Sequence, residues 1–478
     1  MKIHVAPKTP EPRQMSWWLE EALSLEPEGK SAPALRGEIS ADVAIVGGGF
    51  AGLWTAVLLA GKSPHLSIVL IESAICGSGA SGKNGGMVSG YWARLGAISK
   101  LFGDDNALAI ARAGTRAQDN IRDFARDCGT DLWWRDGGSL RVATHPDQEV
   151  RIEAWLSEAR RLGVMDTVTE LSPAAAKSLC KSEKFGRTVL FSEGAGVHPA
   201  RLARTLRRIA LSRGVRIFEN TPMTALERGA PSRISTPGGQ IVARDVVLTM
   251  NAGLAQLPEF GSSLCLFSSY VSMTAPIPDL LSACGWTGNN GLTDLQNFIR
   301  YARKTPDDRV LGGSGGGPIG YGADFTASCL AEDPTALDRA GRLAGDLIPA
   351  LAPAHIEKRW GGAVDVASDR LPFFGTLPGT RIHYAAGFTG HGVNATHIAG
   401  QCLSSFVLGE KNDWTALALC NRTLPKLPPE PFRYVGAGFV RWGILRCEEA
   451  QQHGVAAPTI ARIAATLPER LHLRIGTR

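Results

Sequence analysis

Two features of this sequence have the residue types and spacing needed to bind a dinucleotide. Residues 47–52 read GGGFAG after an apolar run, and Glu72 ends the next apolar run twenty residues after Gly52. Glycines in such a turn let the backbone approach a pyrophosphate, and the helix that follows directs free N–H groups at the phosphates. A carboxylate at the end of the second strand accepts hydrogen bonds from ribose hydroxyls. The contacts expected here are Gly47, Gly49, Phe50, Ala51, Gly52, Glu72 and Ser73.

A second glycine-rich segment, residues 77–87, reads GSGASGKNGGM. Such a run of small residues exposes consecutive backbone N–H groups, which suits an anion lying across it. An NAD dehydrogenase does not need this second loop, so the pair of loops favours FAD as the dinucleotide. A third segment, residues 386–394, reads AGFTGHGVN and precedes a helical stretch whose N-terminus can stabilise negative charge.

These segments resemble the FAD-dependent amine oxidoreductases related to D-amino acid oxidase. Residues 77–87 resemble the GASGRNGG segment of that superfamily, residues 386–394 its GYSGHG segment, and residues 360–375 its W-x-G…D-x-x-P-x-x-G segment. Within the superfamily the resemblance is closest to γ-glutamylputrescine oxidoreductase-like proteins, which share the early aromatic pair Trp17-Trp18 and an amphipathic helix near the C-terminus. The resemblance covers residues 16–450.

The resemblance implies a mixed α/β (α+β) fold. We expect a FAD-binding Rossmann-like domain of the glutathione-reductase/D-amino acid oxidase type with an interleaved antiparallel-sheet substrate domain. FAD is expected to be non-covalent, because Cys76 matches no attachment position known from relatives. The resemblance adds as cofactor contacts Ser81, Gly82, Lys83, Asn84, Gly85, Gly86, Met87, Met223, Asn251, Ala252, Gly253, Asp369, Gly387, Phe388, Gly390, His391, Gly392, Val393 and Asn394.

Four residues are candidates for contacting the substrate or taking part in catalysis: Arg300, Tyr270, Trp360 and His391. Arg300 lies in an alternating stretch that lines the substrate cavity in relatives, where it would bind an acidic group bidentately; the alternative is an edge-strand arginine in solvent. The predicted reaction removes the C–H alpha to nitrogen of a small primary or N-methyl amine. Hydride passes to flavin N5, and the imine hydrolyses to an aldehyde or keto product.

Two other functions stay open. One is amino acid oxidation of the sarcosine, glycine or D-amino acid oxidase type, and the other is a flavin-binding subunit without amine oxidation of its own. The electron acceptor is oxygen or another carrier, and the oligomeric state is left open by the sequence.

The pattern of the chain predicts helices near 106–127, 146–162, 199–213, 333–347 and 393–408, and a sheet over 262–319. Residues 16–19, Ser-Trp-Trp-Leu, predict an arm laid on the body, because adjacent tryptophans are costly to leave in water. The predicted division is an arm (1–38), a FAD-binding domain (39–98, 190–258 and 355–425), a substrate domain (99–189 and 259–354) and a C-terminal helix and tail (426–478).

Composition narrows the class of protein. The formal net charge is +6, and the basic residues are not interleaved with aromatics, so nucleic-acid binding is not expected. The arginines between 201 and 216 are predicted to form the solvated face of an amphipathic helix. Nine dispersed cysteines without a CxxC pair predict neither a metal site nor a disulfide framework. No secretory h-region or membrane-spanning apolar run is visible, so we expect a cytoplasmic protein.

Overall fold

The computed structural model describes residues 2–5, 15–26, 31–424 and 426–470. The helices are α1 (Trp17–Ser24), α2 (Phe50–Lys62), α3 (Ala80–Lys83), α4 (Leu95–Phe102), α5 (Asp104–Asp127), α6 (Glu149–Arg161), α7 (Pro173–Leu179), α8 (Pro199–Ser212), α9 (Pro258–Gly261), α10 (Pro278–Ala283), α11 (Pro334–Leu347), α12 (Gly392–Leu408), α13 (Phe432–Gln452) and α14 (Thr459–Arg470).

The strands are β1 (Lys2–His4), β2 (Gly37–Val46), β3 (Ile68–Ile71), β4 (Met87–Val88), β5 (Arg135–Asp136), β6 (Ser139–Val142), β7 (Val168–Leu171), β8 (Thr188–Phe191), β9 (Ala195–Gly196), β10 (Arg216–Phe218), β11 (Ala225–Glu227), β12 (Ser232–Thr236), β13 (Gly239–Leu248), β14 (Leu264–Thr274), β15 (Gly291–Asp294), β16 (Arg300–Lys304), β17 (Val310–Ser314), β18 (Ile356–Ala367), β19 (Phe373–Thr376) and β20 (Ile382–Ala386).

A nine-stranded sheet carries the first glycine-rich turn. Its order is β1-β11-β12-β13-β2-β3-β10, with β20 paired to β13 and β19 to β20. The strands β10, β3, β2, β13 and β20 run parallel. In β2, Val43 and Ile45 enter one hydrophobic core while Ala44 and Val46 enter another. Both faces of this strand are therefore covered, which explains why its sequence is an unbroken apolar run.

An eight-stranded sheet forms the second layer, in the order β18-β14-β17-β16-β15-β6-β8-β7. Its neighbouring strands are antiparallel except for the parallel pair β6 and β15. A small three-stranded sheet, β4-β9-β5, lies apart from it. The mixed architecture predicted from the sequence is confirmed. The predicted domain limits stay a prediction; β18, placed by them in the FAD-binding part, pairs with β14 of the second sheet.

The prediction that the arginines of α8 form a solvated face is wrong in part. Arg204 and Arg207 are buried, and their guanidinium groups lie 3.2 and 2.9 Å from Glu219, which is fully buried at the end of β10. Arg204 also pairs with Glu26 at 2.5 Å. Because each buried charge has an opposite partner, these arginines join elements together and do not face solvent.

Residues 15–26 of the N-terminal arm pack against the body, as predicted. Ser16 caps α1 by accepting from the Leu19 N–H at 3.1 Å, and its hydroxyl donates to the Gly82 carbonyl at 2.5 Å. Trp18 has no exposed surface and donates to the Asn84 carbonyl at 3.1 Å. The arm thus reaches the second glycine-rich segment.

The described residues lack two kinds of feature. None of their helices is both long and apolar enough to cross a membrane. Within the same residues, no group of three or more histidine, cysteine or acidic side chains could hold a metal ion.

Candidate functional site

The first glycine-rich turn connects β2 to α2. Gly47 has a φ of +112°, which only glycine adopts readily. A β-carbon on Gly52 would lie 2.0 Å from the Gly47 carbonyl oxygen, so no larger residue fits where the helix meets the turn. Helix α2 begins at Phe50 with Gly49 as its N-cap and without a side-chain cap. A glycine turn at the N-terminus of a helix has the shape that a pyrophosphate requires.

The carboxylate of Glu72 is held against this turn. Its Oε2 accepts from the Gly48 N–H at 2.7 Å, while Oε1 accepts from the Ser73 hydroxyl at 2.9 Å and the Ala74 N–H at 3.0 Å. The acid at the end of β3 therefore lies beside the glycines, as expected for a ribose-binding residue.

The second glycine-rich segment is fixed by donors from distant parts of the chain. Four consecutive carbonyl groups accept side-chain hydrogen bonds, which engage only the acceptors of the loop. The bonds are Ser16 Oγ to Gly82 at 2.5 Å, Trp360 Nε1 to Lys83 at 2.8 Å, Trp18 Nε1 to Asn84 at 3.1 Å and Arg303 Nε to Gly85 at 2.6 Å.

The two loops also touch directly. The Ser81 hydroxyl accepts from the Phe50 N–H, the first of α2, at 2.7 Å. Within the second loop, the Asn84 side chain donates to the Ser81 carbonyl at 2.8 Å and accepts from the Gly86 N–H at 2.7 Å. The two segments therefore meet at one place, as a single dinucleotide spanning both would need.

The third segment is anchored by Asp365 of β18. The Gly387 N–H donates to the Asp365 carboxylate at 2.6 Å, and the Thr389 N–H donates to the Asp365 carbonyl at 3.0 Å. Burial raises the pKa of Asp365 to about 7 against the opposing effect of the Gly387 N–H. After Gly390, with a φ of +76°, the chain enters α12 without a side-chain cap.

Two amide oxygens at the expected cofactor contacts are buried without a hydrogen-bond partner among the described residues: Oδ1 of Asn251 and Oδ1 of Asn394. Buried polar atoms normally have partners, so these two oxygens fit a ligand that donates to them. Together with the turn that a β-carbon would fill at Gly52, they show that the residues present fit FAD.

The structure places four other residues that are expected to contact the cofactor in different environments. Met223 is buried in the core under the first sheet. Ala252 and Gly253 lie in a short 3₁₀ turn after β13. The Asp369 carboxylate pairs with the Arg422 guanidinium and accepts from the Leu371 N–H at 3.1 Å. The contact of each of these residues with FAD stays a prediction.

Three of the four substrate or catalytic candidates already use their polar atoms. Arg300 is buried and neither a solvent arginine nor a free anion receptor, because its Nε lies 2.6 Å from Asp294. The Tyr270 hydroxyl donates to the Cys329 carbonyl at 2.7 Å and accepts from the Asp333 N–H at 2.9 Å. The indole N–H of Trp360 donates into the second loop, as described above.

The fourth candidate, His391, keeps a polar atom available. Its Nδ1 donates to the Thr389 carbonyl at 2.9 Å. Burial lowers the pKa of His391 far below its ordinary value, and the nearby charges of Arg94, Arg141 and Arg370 lower it further. The ring is therefore neutral near pH 7, with Nε2 as a hydrogen-bond acceptor.

Arg141 of β6 belongs to this group, although the sequence analysis did not single it out. Its Nε is buried without a hydrogen-bond partner in the part of the chain that the structure describes. Burial lowers the pKa of Arg141 to about 10, and repulsion from Arg94 adds to the effect. The available signal was an arginine between Leu140 and Val142, both fully buried, in a strand where it must face the opposite side.

The site therefore combines a cradle for a dinucleotide with a cluster of positive charge around a neutral histidine. Lys83 of the second loop is another partly buried cation, and burial lowers the pKa of its ammonium to about 8. Positive charge of this kind is suited to a negatively charged ligand.

Comparisons with known proteins agree with this geometry. The family model described as DAO, FAD dependent oxidoreductase, matches residues 42–405. The chain is 29% identical to γ-glutamylputrescine oxidoreductase of Escherichia coli (strain K12) over 426 residues, which cover 86% of this chain and 95% of that protein. It is 23% identical to glycine oxidase of Bacillus licheniformis over 381 residues, which cover 78% of this chain and 95% of that protein.

Solved structures have the same fold. Glycine oxidase from Geobacillus kaustophilus superposes with a TM-score of 0.64 at 22% identity, covering 80% of this chain and 99% of that one. L-proline dehydrogenase from P. horikoshii superposes with a TM-score of 0.63 at 18% identity, covering 80% and 96%. The chain therefore belongs to the DAO family of FAD-dependent oxidoreductases, and its cofactor is FAD.

Proposed function

We propose that this enzyme oxidises a small amine that carries an acidic group. FAD supplies the two-electron chemistry by accepting hydride from the C–H alpha to nitrogen, and the resulting imine hydrolyses to an aldehyde or keto product. The relative named γ-glutamylputrescine oxidoreductase supports an amine as the substrate. The acidic group is our inference from Arg141.

The isolated charge of Arg141 carries the proposal. Arg141 is partly buried with its Nε out of contact with water, and a desolvated guanidinium without an opposite charge is unfavourable because no partner offsets the lost hydration. The repulsion from Arg94 adds to this cost. A carboxylate or phosphonate on the substrate removes both penalties and binds the planar guanidinium through two parallel hydrogen bonds.

His391 is proposed to orient the amine. Since its Nδ1–H is directed to the Thr389 carbonyl, the unprotonated Nε2 accepts a hydrogen bond from the substrate nitrogen. With the acidic group at Arg141 and the amine at His391, the substrate is held at two points, which positions one C–H for transfer.

The test is a comparison of amines in anaerobic reduction of the bound flavin. The panel contains a γ-glutamylated diamine, an N-methyl amino acid, an aminoalkylphosphonate and an uncharged amine. We expect bleaching by acidic amines, and we expect Arg141→Met to raise their KM about a hundredfold. Failure of every amine to bleach the flavin, or an unchanged KM in Arg141→Met, would contradict the proposal.

The matched control removes a paired arginine together with its carboxylate. In the double variant Arg300→Met, Asp294→Leu no buried charge is left alone, so KM for the same amines should stay within about twofold of the parent value. A large rise in KM for this control would return the acid-binding role to Arg300.

Oxidation of amino acids is the second candidate, supported by the relatives named glycine oxidase and sarcosine oxidase subunit beta. It uses the same fold and differs in the substrate. Products separate the two: a γ-glutamylated diamine gives ammonia and an aldehyde, whereas a free α-amino acid gives ammonia and a keto acid and an N-methyl amino acid gives formaldehyde. Oxygen uptake compared with reduction of an artificial dye identifies the electron acceptor.

We also propose that FAD is held non-covalently. Cys76, the cysteine nearest the loops in sequence, lies against Gly48 in the first turn, and burial raises the pKa of its thiol well above the ordinary value. A buried thiol kept protonated is a poor nucleophile. Acid denaturation should release the yellow colour into the supernatant; colour retained in the precipitate would contradict this.

A further inference from the structure

The C-terminal helix α13 exposes a row of large apolar side chains. We call Phe432, Val435, Phe439 and Trp442 the aromatic stripe. Their spacing of three and four residues places them on one side of the helix. Phe432 is 72% exposed and Val435 65% exposed, and the rings of Phe439 and Trp442 stack 5.8 Å apart.

The opposite side of α13 is firmly packed. Val440 and Ile444 are buried with Phe298 of the body. On the same helix, a β-carbon on Gly443 would lie 2.6 Å from the β-carbon of Ala464 in α14, so the two helices are in close contact. The aromatic stripe is therefore the outward side of a fixed helical hairpin.

Exposure of this kind is concentrated on the hairpin. Of the fourteen large hydrophobic side chains exposed in the described residues, eight lie between 432 and 463. The other six are spread from residue 25 to residue 321. Single exposed apolar residues are ordinary on a protein surface, whereas a concentration of them marks an interaction site.

The charge of this region indicates the partner. Residues 432–478 contain seven arginines, three glutamates and no lysine or aspartate, a net charge of +4 out of +6 for the whole chain. A second copy would bring the same positive charge to the contact, which is unfavourable. An anionic lipid surface attracts it, and tryptophan, tyrosine and phenylalanine are the residues favoured at a bilayer interface.

We propose that the α13–α14 hairpin docks the protein on the surface of an anionic phospholipid bilayer. The aromatic stripe enters the boundary between headgroups and acyl chains, while Arg446 and Arg462, both exposed on the hairpin, stay at the headgroups. This is peripheral attachment of an amphipathic element and needs no membrane-spanning helix. It does not depend on the substrate proposed above.

The test is cosedimentation of the FAD-bound protein with vesicles. One set contains phosphatidylcholine and phosphatidylglycerol at three to one, and the other phosphatidylcholine alone. We expect sedimentation with the anionic vesicles, weakened by salt. The double variant Phe439→Ser, Trp442→Ser should bind about tenfold more weakly, and Arg446→Gln, Arg462→Gln at least about fivefold more weakly.

The control variant carries the same kind of change elsewhere. Val150→Ser, Met165→Ser alters two exposed apolar residues remote in sequence and should bind vesicles like the parent. All variants must keep the flavin absorbance of the parent, which reports folding separately from docking. No sedimentation with anionic vesicles, or equal binding by the stripe variant, would overturn the proposal. A dimer in light scattering that the stripe variant dissociates would assign the stripe to a second copy instead.

Discussion

The two glycine-rich loops of the FAD site are positioned in different ways. Residues 47–52 are held by what lies next to them, namely β2, α2 and the ends of the adjoining strands at Thr249 and Glu72. Residues 82–85 are held by side chains at positions 16, 18, 303 and 360. The first loop is held by its own strand and helix and by the neighbouring strands of one sheet, whereas the second is held by side chains from the arm and from the other sheet.

The largest expected effect tests the local loop. In Gly52→Ala the new β-carbon would lie 2.0 Å from the Gly47 carbonyl and 2.8 Å from Thr249 Oγ1, so the turn must open. We expect FAD content, measured from the ratio of flavin to protein absorbance, to fall at least about tenfold. Gly79→Ala is the control, because nothing lies within 4 Å of its β-carbon. Full flavin content in Gly52→Ala would mean that the turn is less rigid than its contacts imply.

The next effect tests the distant donors. Arg303→Met leaves the carbonyls of Gly85 and Val197 without their donor, which we expect to lower the free energy of unfolding by about 2–3 kcal/mol and to weaken FAD binding. Arg433→Met is the control, since Arg433 also donates to two backbone carbonyls but far from the loop. Flavin fluorescence during titration with FAD should separate them: both lose stability, and only Arg303→Met loses affinity.

The third expected effect is a loss of folding stability at low pH. His198 packs edge-on against Trp18 at 4.6 Å and lies 2.8 Å from Glu21, and the charges facing it are those of Glu21, Arg201 and Arg303. Burial lowers the pKa of His198 to about 4. Between pH 6.5 and 4 the unfolded chain binds a proton that the folded chain does not, so stability falls as the pH falls.

From this shift we expect a loss of about 1.5 kcal/mol between pH 6.5 and 5, measured by urea unfolding. His198→Asn should remove that part of the slope while keeping the N-cap of α8, because asparagine is a good cap. An unaltered slope in His198→Asn would assign the acid sensitivity to other groups.

The smallest effect removes one donor to the second loop. Trp360→Phe keeps the ring and deletes the N–H that donates to the Lys83 carbonyl, which should weaken FAD binding by about 1 kcal/mol. Trp286→Phe is the matched control, since its buried N–H has no partner among the described residues and its loss should leave affinity unchanged. Equal affinities in the two variants would show that this bond does not support the loop.

The sequence predicted the local parts of this molecule well. The turn at Gly47, the acid at Glu72 and the helix predicted over 393–408 follow from spacing along one stretch of chain, and the structure has each of them at that position. The packing of Trp18 was also predictable, since two adjacent tryptophans need cover. The donors to the second loop were not predictable, because their positions are unrelated in sequence.

The arginines show the same limit. Arg300 and Arg141 both lie in strands with alternating pattern, but only Arg300 was predicted from the sequence to bind the acidic group of the substrate. The hairpin between β15 and β16 brings Asp294 to Arg300. This pairing could have been predicted, because Asp294 is only six residues before Arg300 in the sequence. That Arg141 has no opposite charge beside it among the residues the structure describes becomes visible only after folding.

The late positions of Arg303 and Trp360 in the sequence also affect when the protein binds flavin during synthesis. A nascent chain that has left the ribosome only as far as residue 300 already contains the turn at Gly47, yet Arg303 and Trp360 have not emerged. We therefore expect flavin to be captured late in translation or after release, so that chains stalled early leave the ribosome without it.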